Sequence, residues 1–316
     1  MTVSFIIPLF NCVDLTRECL RTLRATLPPG LDHEILLVDD GSTDGTRAWL
    51  ATLAAPCRHL LNERNLGFGP TCNRGAAAAR GEILFLLNSD LVLLPGWFEP
   101  MLAVFAAEAG AGVVGNVQLA CDTGRVDHAG IFFDHQGKPA HLTRVPRAAA
   151  ACAVPAVTGA CCAVRAALWR DLGGFDESYR NGGEDVDFCL RVAAAGRTNF
   201  VAPASVVRHH VSRSPGRKEN DEANSRRLML RWRQVVAPLA APAWSRHYLA
   251  REWSGAYATA ECRGAARAVL HAAGLARHPG SFAARGAELA IERELARWRT
   301  IFDGEPPATA ETCVTL

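Results

Sequence analysis

No stretch of this sequence approaches the roughly 20 consecutive apolar residues that a membrane-spanning helix needs, so membrane contact is expected to be peripheral at most. "MTVSFIIPLFN" has no basic leader and its apolar run is broken at Pro8, which argues against a signal peptide. The eleven cysteines are odd in number, include the adjacent Cys161 and Cys162, and form no C-x-x-C pair. That pattern excludes a zinc ribbon and a secreted disulfide framework. Several lie among Ala, Val and Leu, where a free thiol packs as a small hydrophobe, and a reducing, cytoplasmic setting is expected. No G-x-x-x-x-G-K-[ST] phosphate loop occurs, and "PLFNCVD", which follows the first apolar run, contains no glycine. The two commonest nucleotide-binding readings of an α/β chain are thereby excluded. A formal charge of +2 gives no reason to expect nucleic acid as a partner. No internal repeat of consistent period is present.

What is present is alternation. "VSFIIPLF" and "HEILLVDD" are short apolar runs of the kind buried strands use. Between them Asn11 fits an N-cap ahead of Cys12, Leu15, Thr16, Cys19 and Leu23 at helical spacing. "GSTDGT" turns into a helix carrying Trp49, Leu50 and Leu53. "CRHLLN" predicts a third strand, "TCNRGAAAAR" a helix and "EILFLLNSD" a fourth strand. Such alternation predicts a parallel sheet with helices on both faces, in an α/β fold. Further on, "GVVGNVQL" and "VTGACCAVR" predict more strands, with "GRVDHAGIFFDHQGKP" as a hairpin or long loop between them.

Ligands of such sheets bind at the carboxyl ends of the strands. Standing there are Pro8 and Asn11, Asp39 and Asp40, Asn62 and Asn65, and Asn88 and Asp90. Turn chemistry alone would supply some of these side chains. A second cluster lies in "NGGEDVDFCLRVAAAG", where Glu184, Asp185 and Asp187 crowd the start of a helix. Acids favour a helix N-terminus, and Asp187 can pair with Arg191 one turn on. In that reading Val186, Cys189, Leu190 and Ala193 form the buried stripe, Asp187 pairs outward, and Asp185 is left at the opening. Gly182 and Gly183 give the backbone ahead of them its freedom.

Five segments in order, from Val3 to about Trp232, resemble the inverting family 2 glycosyltransferases, including rhamnosyltransferase-like enzymes of bacterial surface polysaccharides. They are "FIIPLFN", "EILLVDDGSTDGT", "NERNLGFGPTCNRGAAAARGEILFLLNSD", "VTGACCAVRAALWRDLGGFDESYRNGGEDVDFCLRVAAAG" and "VVRHHVSRSPGR". The resemblance implies a GT-A nucleotide-sugar-binding fold over residues 1–215, with 216–316 as a C-terminal helical extension packed on or next to it. It implies a nucleoside-diphosphate sugar donor and a glycan, lipid-linked glycan or protein acceptor. Pro8, Asn11, Asp39, Asp40, Asn65, Asn88, Ser89 and Arg217 are then donor-binding residues. Asp39 and Asp40 would accept hydrogen bonds from base and ribose; a solvated strand-to-helix turn is the plainer reading. "NSD" stands where the family carries a D-x-D-like motif, which makes Asp90 a ligand for Mg²⁺ or Mn²⁺, with His209 a further metal or diphosphate contact. Asn88 departs from the acidic first position and puts metal affinity in question. The family's "ED" pair falls on Glu184 and Asp185: Asp185 becomes the general base and Glu184 its acceptor-positioning partner. "GGFDESY" resembles the acceptor-side loop. Asp127 and His128 lie in a recurring family segment but receive no chemical role.

Two other classes compete. A non-catalytic sugar-nucleotide-binding module would suit Asn88, yet it would have no need to keep Asp90, Glu184, Asp185 and His209 together. A nucleotidyltransferase would show a glycine- and basic-rich loop after its first strand, and none is present. Toward the C-terminus, Leu228, Met229, Trp232, Val235 and Val236 form one helical stripe and Ile291, Leu295, Trp298 and Phe302 another. Breaks are expected at "APLAAPAW" and "ARHPGS". Six basic against three acidic residues between Arg217 and Arg233 allow one face to touch anionic lipid. The alternative is a helix packed through Trp232 with its arginines solvated.

Overall fold

The computed structural model describes residues 2–145, 151–210, 220–252, 260–273 and 275–304. The chain divides into two compact units, Met1–Ile131 with His141–Asn220, and Phe132–Ala140 with Asp221–Leu316. The expected boundary at 215/216 lies outside the described residues.

In the first unit the alternation expected from sequence is realised as β1 (Val3–Leu9), α1 (Val13–Thr26), β2 (His33–Asp39), α2 (Thr46–Leu50), β3 (Cys57–Leu61), α3 (Phe68–Ala78) and β4 (Ile83–Leu87). Then follow β5 (Leu91–Leu93), α4 (Phe98–Ala107), β6 (Ala111–Ala120), β7 (Val126–His128), β8 (Ile131–Phe133), β9 (Pro139–His141) and β10 (Cys152–Val154). The unit closes with β11 (Cys161–Arg165), α5 (Ala166–Asp171), α6 (Glu184–Ala194) and β12 (Thr198–His209). The main sheet runs β10-β12-β6-β11-β4-β1-β2-β3, with β5 on β12 and β7 on β6. Strands β1 to β4, β6 and β12 all point one way, and β11 runs against both of its neighbours. This is the mostly parallel α/β sheet that the alternation predicts. Strands β1, β2 and β4 are apolar along almost their whole length because both faces are covered. Phe5, Phe85, Trp97 and Phe98 interlock beneath them, with the Phe5 and Phe85 rings 5.3 Å apart.

A proline inside β1 costs nothing in the ladder. The Leu9 carbonyl accepts from Asp40 on the β2 side, so Pro8 faces β4, where pairing already stops at Ile6.

Three local expectations are corrected. Asn11 does not cap α1: it and Cys12 both adopt φ +56°, and no side-chain cap forms. The predicted strand "VTGACCAVR" begins only at Cys161, leaving Val157–Ala160 as a loop. In α6 the apolar face includes Val192 rather than Ala193, which is exposed.

The second unit holds α7 (Asp221–His247), α8 (Ala260–Ala272) and α9 (Ser281–Asp303), together with the tip of the β8–β9 hairpin. The break expected at "APLAAPAW" is absent, since Pro238 and Pro242 lie inside α7. Interior prolines disfavour a helix by about 3 kcal/mol. Pro238, however, sits on the exposed side, while Val236, Ala237, Ala240, Ala241 and Trp244 are buried, and that packing outweighs local propensity. Gly286 of α9 makes room for Trp244, because a Cβ there would lie 2.3 Å from its ring. Val235 and Phe302, expected in the buried stripes, are exposed. The hairpin tip is tied in by Gln136 Nε2, which donates to Glu294 at 2.8 Å, and by Lys138 Nζ, 3.2 Å from Glu294. The break at "ARHPGS" is present, between α8 and α9.

Candidate active site

The strand-end polar residues do come together, but several face inward. Asp39 is fully buried; its carboxylate accepts from Ser42 N–H at 3.2 Å and from Arg47 Nε at 2.8 Å. Asp40 is also buried, and accepts from Leu66 N–H at 2.8 Å, Gly67 N–H at 2.9 Å and Asn62 Nδ2 at 2.8 Å. The alternative of a solvated turn does not hold: the two buried carboxylates form a framework that holds the loops after β2 and β3. Asn11 adds to it: its Oδ1 accepts from Thr43 N–H at 2.8 Å, and its own N–H donates to Ser42 Oγ at 2.7 Å. Gly41 is obligatory here, with φ +83° and an added Cβ only 2.5 Å from the Arg64 backbone. Asn65 lies exposed on that same loop, and Pro8 is buried below it.

Around "NSD", Asn88, Ser89 and Asp90 are half-buried. Antiparallel pairing of β5 with β12 sets Leu91 opposite His209, which carries Asp90 to the histidine. Asp90 Oδ1 lies 3.2 Å from His209 Nε2. The contact lacks hydrogen-bond geometry, because Oδ1 has no hydrogen-bond partner among the described residues and His209 Nδ1 has none either. A buried histidine and a buried carboxylate oxygen converge without satisfying each other, as ligands of a shared cation do. Among the described residues no third His, Cys, Asp or Glu completes a cluster. Mg²⁺ and Mn²⁺ commonly take few protein ligands and fill the remainder with phosphate oxygens and water, so the pair fits such an ion. Arg217 lies outside the described residues.

The three acids of α6 separate by task. Glu184, buried, turns back to accept the Gly182 N–H at 2.7 Å. Asp187 pairs with Arg191 at 2.8 Å, as expected, but inward rather than outward: the carboxylate is fully buried. Arg191 in turn donates to the carbonyls of Leu172 and Gly174, each at 2.6 Å, and so fixes the start of "GGFDESY". Asn73 holds the next step, bonding both the N–H and the carbonyl of Phe175 at 2.9 Å. Asp185 alone of the three keeps partial exposure. Its Oδ1 accepts from Val186 N–H and its Oδ2 from Gly159 N–H, both at 2.8 Å. Each oxygen retains a lone pair for a further donor. Asn181, Gly182 and Gly183 all adopt positive φ ahead of it, at 51°, 153° and 91°. The chain thus makes a tight turn that only glycine-rich sequence enters readily.

Sequence reasoning places Thr158–Ala160 in a strand and misses its contacts. Gly159 holds Asp185, while the Ala160 carbonyl accepts the Asn88 N–H at 2.7 Å. Asp185 and the NSD turn are thereby joined to one short loop. His128 is also fully buried and accepts from Thr158 N–H. Gly159, a strand-weakening residue inside the predicted strand "VTGACCAVR", is the one available signal.

Replacing Asp187 with alanine leaves the Arg191 guanidinium without its carboxylate. Loss of one partner of a buried pair costs about 3–5 kcal/mol. Urea unfolding should register that loss for Asp187→Ala, whereas Asp185→Asn should stay near wild type. Equal stability of all three proteins would contradict the division of tasks.

A family model described as "Glycosyl transferase family 2" matches residues 4–173. The O-antigen biosynthesis protein RfbC of Myxococcus xanthus is 30% identical over 259 residues, covering 78% of this chain and 20% of its own length. An N-acetylglucosaminyl-diphospho-decaprenol L-rhamnosyltransferase of Mycobacterium tuberculosis is 27% identical over 210 residues, 58% of this chain and 68% of its own. This chain therefore spans about a fifth of the first relative's length. The crystal structure of GalNAc-T7 with UDP, GalNAc and Mn²⁺ superposes with a TM-score of 0.62 at 17% identity, over 78% of this chain and 52% of that one. That likeness shows a shared fold, the GT-A type. With more than half its length matched by the family model, the chain belongs to glycosyl transferase family 2.

Proposed function

We propose that the first unit is an inverting glycosyltransferase that moves a sugar from a nucleoside-diphosphate donor to an acceptor hydroxyl. The observation that carries this reading is the placement of Asp185: a partly exposed carboxylate in the first turn of α6, oriented by two backbone N–H groups, one of them on the loop that also holds the NSD turn. Inversion is one in-line displacement at the anomeric carbon. The acceptor oxygen forms the new bond as the bond to the diphosphate oxygen breaks, and the acceptor's proton passes to Asp185. Glu184 keeps the preceding turn in shape, and the Arg191–Asp187 pair holds the acceptor-side loop. On the donor side, Asp39, Asp40 and Asn11 shape the nucleotide pocket by ordering its loops. Asn65, Asn88, Ser89 and Arg217 are assigned to the donor itself. Asp90 and His209 would hold Mg²⁺ or Mn²⁺, which when bound offsets the charge on the departing diphosphate. A relative named for rhamnosyl transfer to a lipid-linked N-acetylglucosamine makes a glycan or lipid-linked glycan the acceptor class we favour. The described thiols, all free and mostly buried, suit a reducing compartment, and we assign the reaction to the cytoplasmic side.

Thermal unfolding against UDP, GDP, dTDP and CMP, each with and without Mn²⁺, tests this assignment. A nucleotide at about 100 times its dissociation constant adds roughly 2.7 kcal/mol of stability. One nucleotide should raise the melting temperature in the presence of metal, and Asp90→Ala should abolish the metal-dependent part. Asp185→Asn should keep the shift and lose sugar transfer. No shift with any nucleotide, or full transfer by Asp185→Asn, would overturn the reading.

For the second unit we propose peripheral contact with an anionic membrane surface. A groove of about 560 Å³ is lined by Arg226, Arg227 and Arg231 together with Leu230 and Phe302. Leu230 is 58% exposed and Phe302 43%. Basic side chains flanking exposed apolar ones match the chemistry of a headgroup boundary. The protein should float with vesicles containing phosphatidylglycerol and not with phosphatidylcholine alone; absence of flotation at moderate salt would exclude the contact.

A further inference from the structure

His128 is a buried polar side chain to which the reading above assigns no task. It ends β7 and is fully enclosed. Its Nε2 accepts two backbone N–H bonds, from Gly130 at 3.2 Å and from Thr158 at 3.4 Å. A ring nitrogen that accepts cannot carry a proton, so the proton resides on Nδ1 and the tautomer is fixed. A cationic ring would have no acceptor nitrogen and would lose both bonds. Burial first, then the neighbouring His141 and His209, keeps its pKa well below the ordinary histidine value, which agrees with a neutral ring. The His141 ring stands edge-on with centroids 4.7 Å apart, and Nδ1 has no hydrogen-bond partner among the described residues.

What His128 grips is one residue from the N–H that holds the proposed base. Thr158 N–H is bonded to the imidazole, and the next N–H, of Gly159, holds Asp185 Oδ2 at 2.8 Å. The segment has little room to drift. The Ala160 N–H donates to Thr158 Oγ1 at 3.3 Å, and a Cβ on Gly159 would meet the Phe68 ring at 3.1 Å and the Asp185 Cβ at 3.5 Å. On the other side of the imidazole, Gly130 accepts the Leu142 N–H at 2.8 Å, and Ile131 donates to Ala156 at 2.8 Å. His128 thus clamps two backbone strands, one of which orients the carboxylate.

We propose that His128 is a positioning residue for the transfer reaction: held as the neutral Nδ1–H tautomer, it fixes Thr158 so that the Gly159 N–H aims Asp185 at the acceptor hydroxyl. It touches neither donor nor acceptor, and the inference rests on Asp185 being the base. Its distinctive consequence is a loss in the chemical step with donor binding left intact.

The test compares wild type, His128→Leu, which removes the acceptor nitrogen at similar volume, and His128→Gln, whose amide oxygen can replace it. Nucleoside diphosphate release is followed with water as acceptor, on whichever of UDP-glucose, UDP-N-acetylglucosamine, GDP-mannose and dTDP-rhamnose the wild type turns over. His128→Leu should lower kcat by about 100-fold, the scale of a misaligned catalytic group, with donor KM changed by less than about threefold. His128→Gln should recover most of that loss. Amide hydrogen exchange at residues 158–160 should quicken in His128→Leu, while β1 and β2 stay protected. Nitrogen-15 NMR of histidine-labelled wild type should show the Nδ1–H tautomer at pH 7, a readout that stands even if the leucine variant does not fold. Wild-type kcat in His128→Leu, equal impairment in His128→Gln, or an Nε2–H or cationic ring would overturn the proposal. An inactive Asp185→Asn beside a fully active His128→Leu overturns the positioning role alone. An active Asp185→Asn removes the base, and this proposal with it.

Discussion

Strand β11 runs against its neighbours, and the site depends on that reversal. Its first residue pairs with the last residue of β4, Cys161 opposite Leu87. The residues leading into β11 are therefore delivered to the edge where β1, β2 and β4 end. A parallel β11 would start at the opposite edge, and Thr158–Ala160 could not bond both Asn88 and Asp185. Strand β12, parallel to β6, then ends at the same edge and brings His209 to Asp90 through β5. Two antiparallel pairings, β11 on β4 and β5 on β12, thus gather donor-side and acceptor-side residues from distant parts of the sequence.

Around this edge the polar groups form two classes. Asp39, Asp40, Asp187 and Glu184 are buried and bonded to backbone N–H groups or to arginine; they hold loops in place. Asp185 and Asp90 retain capacity for an outside partner, the first through partial exposure, the second through an oxygen with no hydrogen bond among the described residues. Buried carboxylates are costly unless bonded, so each framework acid is held by N–H donors of the chain. Exposure for Asp185 and an unbonded oxygen for Asp90 separate structural acid from chemical acid more sharply than position in sequence does.

Much of the fold was legible because the first strands are continuous apolar runs separated by turn residues, a signal carried locally. The order of five family segments also made the GT-A fold legible. The acids at 184, 185 and 187 stood out as a crowd, and the Asp187–Arg191 pair and the open position of Asp185 were legible in it; the inward direction of that pair and the turn of Glu184 back onto Gly182 were not. Asp187 looked outward-facing because helical spacing shows the Arg191 partner and not the Leu172 and Gly174 carbonyls that pull the pair inside. Asn11 had the composition of a cap, yet the loop after β2 claims its side chain. Pro238 and Pro242 signalled a break that tertiary burial of α7 overrides. His128 was visible as a residue and opaque as a role, since its partner Thr158 is brought to it only by the sheet.

The most direct test of the account is the anomeric configuration of the product. One carboxylate base poised for a single displacement requires attack from the face opposite the departing diphosphate, with Asp185 taking the proton. NMR of the glycoside formed from the donor identified by nucleotide stabilisation reads this from the one-bond anomeric C–H coupling, and the glycosidic bond keeps the configuration from mutarotating. The account predicts a configuration opposite to that of the donor. Retention would require a second displacement or a same-face path, and would contradict the role assigned to Asp185.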